Sequence, residues 1–276
     1  MRRRWSSQLS SLSYRLFVFG FGTLFLAFMI VPVLISLSMS FTSGQTLKFP
    51  PPGLSLRWYA ALFDPVQSEI VQQAAWNTLQ IAVFAVLASL VFAVPAAFGM
   101  ARISSRRANA LEPLFLAPMV LPSLVYGLAL LIAANLMHIS PSIWLVVLAN
   151  VVVFGPLMFR ATSSIAQQLD PSLEDASSLL GASRWSTFRR VTLPLLAPGI
   201  YAGMFLVFIQ SIENVSLPLF LAPAGTTILP LEMFAMLQDS LDPRIAAISG
   251  VLIAVTIVVL VAVQRLTPFL REQGRS

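Results

Sequence analysis

Six apolar blocks constrain this chain more than any other feature. They run from about Leu16 to Phe41, Ala75 to Ala101, Leu111 to Met137, Ser142 to Phe159, Pro198 to Ala222 and Ile245 to Gln264. A helix crossing the roughly 30 Å hydrocarbon layer needs about 20 mostly apolar residues, and these blocks meet that requirement. Of the 276 residues, 57% are hydrophobic and only 10% charged. Soluble domains carry about a quarter charged residues, so this chain has too little polar surface to cover a water-soluble globule. The reading is an all-α polytopic membrane protein with six transmembrane helices in a single transmembrane domain, residues 1–276. With no cysteine in the chain, disulfides and thiolate metal sites are excluded. Arg2, Arg3 and Arg4 precede the first block in the manner of a signal peptide. That block is far longer than a signal-peptide core of roughly 7–15 residues, so it is read as a retained first helix.

Lys and Arg in the connections set the orientation. With the N-terminus in the cytoplasm, the inner segments hold Arg2, Arg3, Arg4 and Arg15, then Arg102, Arg106 and Arg107, then Arg160, Arg184, Arg189 and Arg190, and finally Arg265, Arg271 and Arg275. Lys48, Arg57 and Arg244 fall outside, which leaves 14 of the 17 basic residues on one side. An even number of spans returns both termini to the cytoplasm. This asymmetry accounts for the net charge of +6 through orientation in a lipid bilayer, with no nucleic-acid partner.

Two outer segments have their own character. In "FPPPGLSLRWYAALFDP" the prolines forbid a regular helix at the start, and "LRWYAALF" follows as a short surface helix. Trp58, Tyr59 and Trp76 suit the membrane–water interface. The last outer segment, about Pro223 to Asp242, combines a turn with a short amphipathic helix bearing Glu232, Asp239 and Asp242. Both outer segments offer a surface for a soluble partner.

The long inner connection, residues 160–194, is too polar to enter the bilayer. Asp170 suits a cap, Pro171 a first helical position, and Glu174 and Asp175 the positive end of the helix dipole. Leu173, Ala176, Leu179 and Leu180 recur at helical spacing, and Gly181 permits a tight exit. A second helix starts near Ser183, carries Trp185 and Phe188 on one face with Arg184 and Arg189 beside them, and ends at Thr192-Leu193-Pro194. Two readings fit this helix–glycine–helix unit. One is an interfacial helix that fixes two spans; the other is a docking knob, since aromatics flanked by arginines suit the centre and rim of a protein contact.

The segment resembles the EAA loop of permease subunits in binding-protein-dependent ATP-binding-cassette importers, whose pattern is E-A-A-x3-G-x9-I-x-L-P. Asp175, Ala176 and Ser177 stand in the first three positions, Gly181 in the glycine position, Val191 in the isoleucine position, and Leu193-Pro194 at the end. The resemblance implies a MetI-like permease fold with a cytoplasmic coupling helix, in a bacterial inner membrane. It implies an ATPase-coupling surface of Glu174, Asp175, Ala176, Gly181, Ala182, Trp185, Phe188, Arg189, Leu193 and Pro194, a lever fixed at Gly181 and Pro194. The implied partners are a second permease, identical or homologous, two cytoplasmic ATPase subunits carrying ATP and Mg, and an external solute-binding protein. No cofactor is expected on this chain. Lys48 is its one lysine, and it lies outside, so there is no P-loop to hold nucleotide phosphates. His138 is the one histidine, read as a surface residue, and no catalytic constellation is found.

The fifth block is exceptional among the spans in holding an acid near its middle, Glu213, with Gln210, Ser211, Asn214 and Ser216 around it. A charge at helix centre costs about 2.5–3.5 kcal/mol on insertion scales. It is either a structural bond between helices or a residue of a water-filled path that attracts a cation. Pro218 is expected to break this helix, with Pro95, Pro118, Pro122 and Pro156 doing likewise elsewhere. Asn135 and Asn150 are further path candidates. The sequence also resembles the polyamine (spermidine/putrescine) branch of the family in "FPPPGLSLRWYAALF", "SIEN" and "TTILPLEMFAML"; Asn214 stands where that branch commonly has a second acid. Aminoethylphosphonate, iron(III) or another small zwitterion remain open as solutes. A proton-driven secondary transporter, a membrane scaffold and an intramembrane enzyme are rival classes.

Overall fold

The computed structural model describes the backbone of residues 2–239 and 241–273 and the side chains of residues 17–239 and 241–266. The orienting roles of Arg2, Arg3, Arg4, Arg15, Arg271 and Arg275 lie outside the described side chains. The helices are α1 (Arg2–Ser40), α2 (Arg57–Phe63), α3 (Pro65–Arg102), α4 (Ser105–Val120), α5 (Ser123–Leu136), α6 (Ile143–Ala166), α7 (Ser172–Leu179), α8 (Arg184–Thr187), α9 (Leu193–Glu213), α10 (Ser216–Leu221), α11 (Leu229–Asp239) and α12 (Arg244–Gln273). Among the described residues five helices are long and apolar enough to cross a membrane, and the bent pair α4 and α5 passes the same test taken together, which gives six if the pair is one span. The chain packs as two compact units, Met1–Gln67 with Met236–Ile253, and Ser68–Ala235 with Ala254–Ser276.

In the first unit, α1 has no buried residue between Phe17 and Ser38. An apolar wall of that size must be covered by lipid or by another chain. The connection after α1 folds back through a bridge between Thr42 and Leu54 into α2, the expected short surface helix. Trp58 Nε1 donates to the Gly44 carbonyl at 3.1 Å, and the Arg57 guanidinium lies 4.2 Å from the Trp58 ring centre. Tyr59 Oη donates to Ser40 Oγ at 2.8 Å. Arg244 pairs with Asp242 at 2.6 Å and also donates to the Gln67 carbonyl.

The second unit holds the core, in which buried faces of α3, α6 and α9 meet around Ile81, Ala85, Ala97, Val146, Met158, Phe159, Leu196 and Val207. The closest approach is between α6 and α9. A side chain at Gly199 would put its Cβ 2.6 Å from the Ala161 carbonyl oxygen, and one at Gly203 would lie 2.7 Å from Met158 Cα. Gly199 and Gly203 form a G-x-x-x-G stripe, a device that lets two membrane helices touch backbone to backbone. Toward the N-terminal end of α3, Asn77 Nδ2 donates to the Thr227 carbonyl and Thr78 Oγ1 accepts from Leu229 N, both at 2.9 Å.

Several boundaries differ from those read in the sequence. The third span is not one helix, for α4 and α5 bend by 95° at Leu121-Pro122. A proline pushes its predecessor into extended backbone, and Leu121 sits at φ −78°, ψ 137°. Pro95, Pro118 and Pro156 instead lie inside helical stretches that they do not interrupt, the kink of α3 falling at Ser68 (φ −137°, ψ 26°). The fourth span runs beyond Phe159 to Ala166, because Thr162, Ser163 and Ala166 are buried on its core-facing side. The connection between the fourth and fifth spans therefore starts at Gln167, not at residue 160. The fifth span breaks at Asn214-Val215, ahead of Pro218, which lies inside α10. Asn214 is extended, and its Oδ1 accepts from Leu217 N at 2.9 Å, so this residue stops one helix and caps the next.

Candidate coupling site and path face

Asp170 Oδ1 accepts from Ser172 N at 2.9 Å and starts α7. That backbone bond, with a side-chain bond to Ser172, holds the Asp170 carboxyl below the usual range. The bond is intact above that range and is lost only as the pH falls through the lowered value, so neutral pH leaves it in place. After α7 the chain reverses at Gly181, whose φ of +85° lies in the left-handed region. Ala182 N and Gly181 N close the turn on the Ser177 and Ser178 carbonyls. Ser183 Oγ then caps α8, accepting from Ser186 N at 3.3 Å.

The second helix does not end at Pro194, as the sequence suggested. A π-helical turn, Phe188–Thr192, joins α8 to α9 without a break. Pro194 has no N–H, and its ring would crowd the carbonyl four residues back. The wide turn, in which Leu193 N reaches the Phe188 carbonyl, relieves that crowding. Pro194 is thus a first-turn residue of a span, and α8 runs through the π-helical turn into α9.

The insert has two faces. The outward one exposes Leu173, Leu179, Leu180 and Trp185, with Leu179 88% and Leu180 89% accessible. Asp175, Ala176 and Arg189 are also exposed. Beside that face a cavity of about 480 Å³, partly open to solvent, is lined by the half-buried Phe98, Glu174, Ala182 and Phe188 and by the exposed Asp175 and Arg184. Glu174 is half-buried: its Oε1 accepts from Arg102 Nη2 at 2.6 Å and from Thr192 Oγ1 at 2.9 Å. The Phe188 ring stacks on Trp185 (5.8 Å) and meets Phe98 (5.6 Å). Ser177 Oγ and Thr187 Oγ1 are 2.9 Å apart and join α7 to α8. The structure therefore gathers Glu174, Asp175, Ala182 and Phe188 around one cavity, while Leu193 and Pro194 belong to the start of α9. Sequence reasoning missed Arg102, Thr192 and Phe98. Arg102 was legible only as an orienting charge, for no local pattern ties it to a residue 72 positions on.

The four polar residues at the C-terminal end of α9 and its cap also separate into two sets. Gln210 and Glu213 are exposed on one side of the helix, whereas Ser211 and Asn214 are buried. Ser211 Oγ has no hydrogen-bond partner and Asn214 is spent on its cap. Gln210 and Glu213 thus form an outward polar face on an apolar span. Asn150 is wholly buried, with Nδ2 on the Val146 carbonyl, and Asn135 is exposed near the end of α5.

A family model described as the binding-protein-dependent transport system inner membrane component matches residues 89–272. The spermidine/putrescine transport system permease protein PotC of Escherichia coli K12 is 26% identical over 245 residues, covering 89% of this chain and 91% of that protein. The putative 2-aminoethylphosphonate transport system permease protein PhnV of Salmonella typhimurium LT2 is 27% identical over 258 residues, covering 91% and 94%. Among solved structures, a bacterial ABC transporter that imports the acidic polysaccharide alginate superposes with a TM-score of 0.68 at 17% identity, over 98% of this chain and 99% of that one. The MetNI methionine ABC transporter superposes with a TM-score of 0.60 at 14% identity, over 75% and 99%.

Proposed function

This chain belongs to the binding-protein-dependent transport system inner membrane components, the multi-pass permeases of ABC importers, and on that premise we propose that its cargo is a small amine-bearing solute of the polyamine type. The observation that carries the proposal is Glu213. It is the last residue of α9, at the break in an apolar span rather than at a helix centre, and it is turned outward beside Gln210 rather than into the core of its own subunit. A charge placed there is stable only against water, a cation or a second polar chain. A second permease covering the same face would enclose a path lined by both copies of this acid. The likeness to PotC supports an amine cargo. The likeness to PhnV and the use of Asn214 as a cap, which leaves one acid where two would hold a diamine more firmly, favour a zwitterion such as 2-aminoethylphosphonate as the second reading.

The driving parts follow from the insert. Its exposed Leu173, Leu179, Leu180 and Trp185 fit a groove on a cytoplasmic ATPase, two of which would bind ATP and Mg for the complex. Nucleotide-driven closure of the ATPases moves the insert, and the continuous α8–α9 rod carries that movement into the fifth span. An external solute-binding protein delivers cargo at the outer segments, and both termini lie in the cytoplasm. This chain itself is a transport subunit, with hydrolysis on the separate ATPase.

The test is uptake into proteoliposomes holding the permease with its ATPases and binding protein. ATP-dependent uptake of labelled putrescine or spermidine is expected, and Glu213→Gln is expected to lower it about tenfold, the size of a lost charge-assisted hydrogen bond to the cargo's ammonium group. Uptake of 2-aminoethylphosphonate alone would select the second reading. Uptake that ignores ATP and follows a proton gradient would contradict both.

A further inference from the structure

We propose that Glu174 is an internal clasp through which the insert drives the second span, α3, and that the acid left to face the ATPase is its neighbour Asp175. The proposal rests on the coupling reading above. Both acids sit in the first turn of α7, yet their surroundings differ. Glu174 is half-buried and accepts two bonds, from Arg102 at the cytoplasmic end of α3 and from Thr192 in the π-helical turn. Asp175 is exposed, and its carboxylate has no partner among the described residues.

The clasp is partly enclosed, with its two side chains 25% and 27% exposed. The Arg102 guanidinium lies 5.2 Å from the Phe98 ring centre, and Phe98 in turn meets Phe188. Arg102 Nε is buried without a partner, so this arginine is partly desolvated and depends on Glu174 for compensation. Removing one member of such a pair leaves the other charge stranded. Glu174 is therefore a poor candidate for exchange with a docking subunit, while Asp175 is free to make one.

The consequence is mechanical. From Arg102 to Thr78 the helix spans about 36 Å at the usual rise of an α-helix, and Pro95 does not interrupt it. Its outer end is bonded through Asn77 and Thr78 to Thr227 and Leu229, the segment that follows α10. Movement of the insert is thereby carried by α3 to the outer face, alongside the direct route through α9. Glu174 and Arg102 are positioning residues in this scheme.

A double-mutant cycle tests it, with Glu174→Gln, Arg102→Gln and the pair, and Asp175→Asn as contrast. In the reconstituted complex each clasp variant is expected to lower solute imported per ATP hydrolysed by about fivefold, the size expected for a lost charge-assisted bond. The double variant is expected to be no worse than the worse single one. Glu174→Gln should leave ATPase affinity within about twofold of wild type, and Asp175→Asn should weaken it. The proposal is overturned if Glu174→Gln weakens ATPase binding as Asp175→Asn does, if the two clasp effects add, or if import per ATP is unchanged. The melting temperature of the isolated permease gives a readout independent of the driving force. Non-additive losses across the cycle support the clasp and additive ones overturn it, even if wild-type uptake proves independent of ATP and the coupling reading fails.

Discussion

Replacing Gly203 with leucine is expected to abolish the folded permease. The α6–α9 contact is backbone against backbone there, with Met158 Cα 2.7 Å and Met158 Cγ 2.8 Å from where a Cβ would stand. Overpacking a core usually costs about 1–3 kcal/mol, and the obstacle here includes main chain that cannot swing aside. Gly199→Leu should behave likewise, since the Ala161 carbonyl oxygen blocks that site at 2.6 Å. Even Gly203→Ala should lower the melting temperature. Gly99→Ala is the control, because no atom lies within 4 Å of its added carbon and alanine favours a helix over glycine by about 0.5–1 kcal/mol. The check is monodisperse yield and melting temperature in detergent. Wild-type values for Gly203→Leu would refute the packing account.

Gly181→Val is expected to cut ATP-driven uptake about tenfold while leaving the spans folded. Space is not the limit, as nothing lies within 4 Å of a Cβ at this position. The limit is the backbone at φ +85°, which costs an ordinary L-residue about 1–2 kcal/mol, and a β-branched one more. Each 1.4 kcal/mol is a factor of ten in a population. Gly181→Asn, which tolerates the left-handed region, should retain most uptake. Equal losses in the Val and Asn variants would show that volume, not conformation, matters at the turn. The uptake assay described above reads both variants, with melting temperature confirming intact spans.

The spans were legible because twenty apolar residues in lipid leave few alternatives to a helix. The 95° bend was not, because the sequence offers prolines in several spans and only the extended state of Leu121 decides which one breaks. Asp170, Gly181 and the aromatic pair Trp185–Phe188 were legible as local grammar. The role of Pro194 was misread because a π-helical turn absorbs its missing donor, and nothing local in the sequence signals that register. Glu174 and Asp175 look interchangeable as letters. Their difference arises from Arg102, brought in by the packing of α3 against the insert, and long-range pairing of this kind has no local trace. The G-x-x-x-G stripe at Gly199–Gly203 was present in plain spacing and would have located the α6–α9 seam at least on one side.

The central claim is that the outward face of the insert seats the ATPase. The chain has no native cysteine, so Leu179→Cys places a single thiol on that face, at a position 88% exposed in the isolated subunit. The measurement is the rate of its modification by a water-soluble maleimide, with and without the ATPase subunits. The account predicts rapid labelling of the permease alone, strong protection on assembly, and a further change when ATP binds. Equal labelling with and without the ATPase, in a complex shown to be assembled, would contradict it.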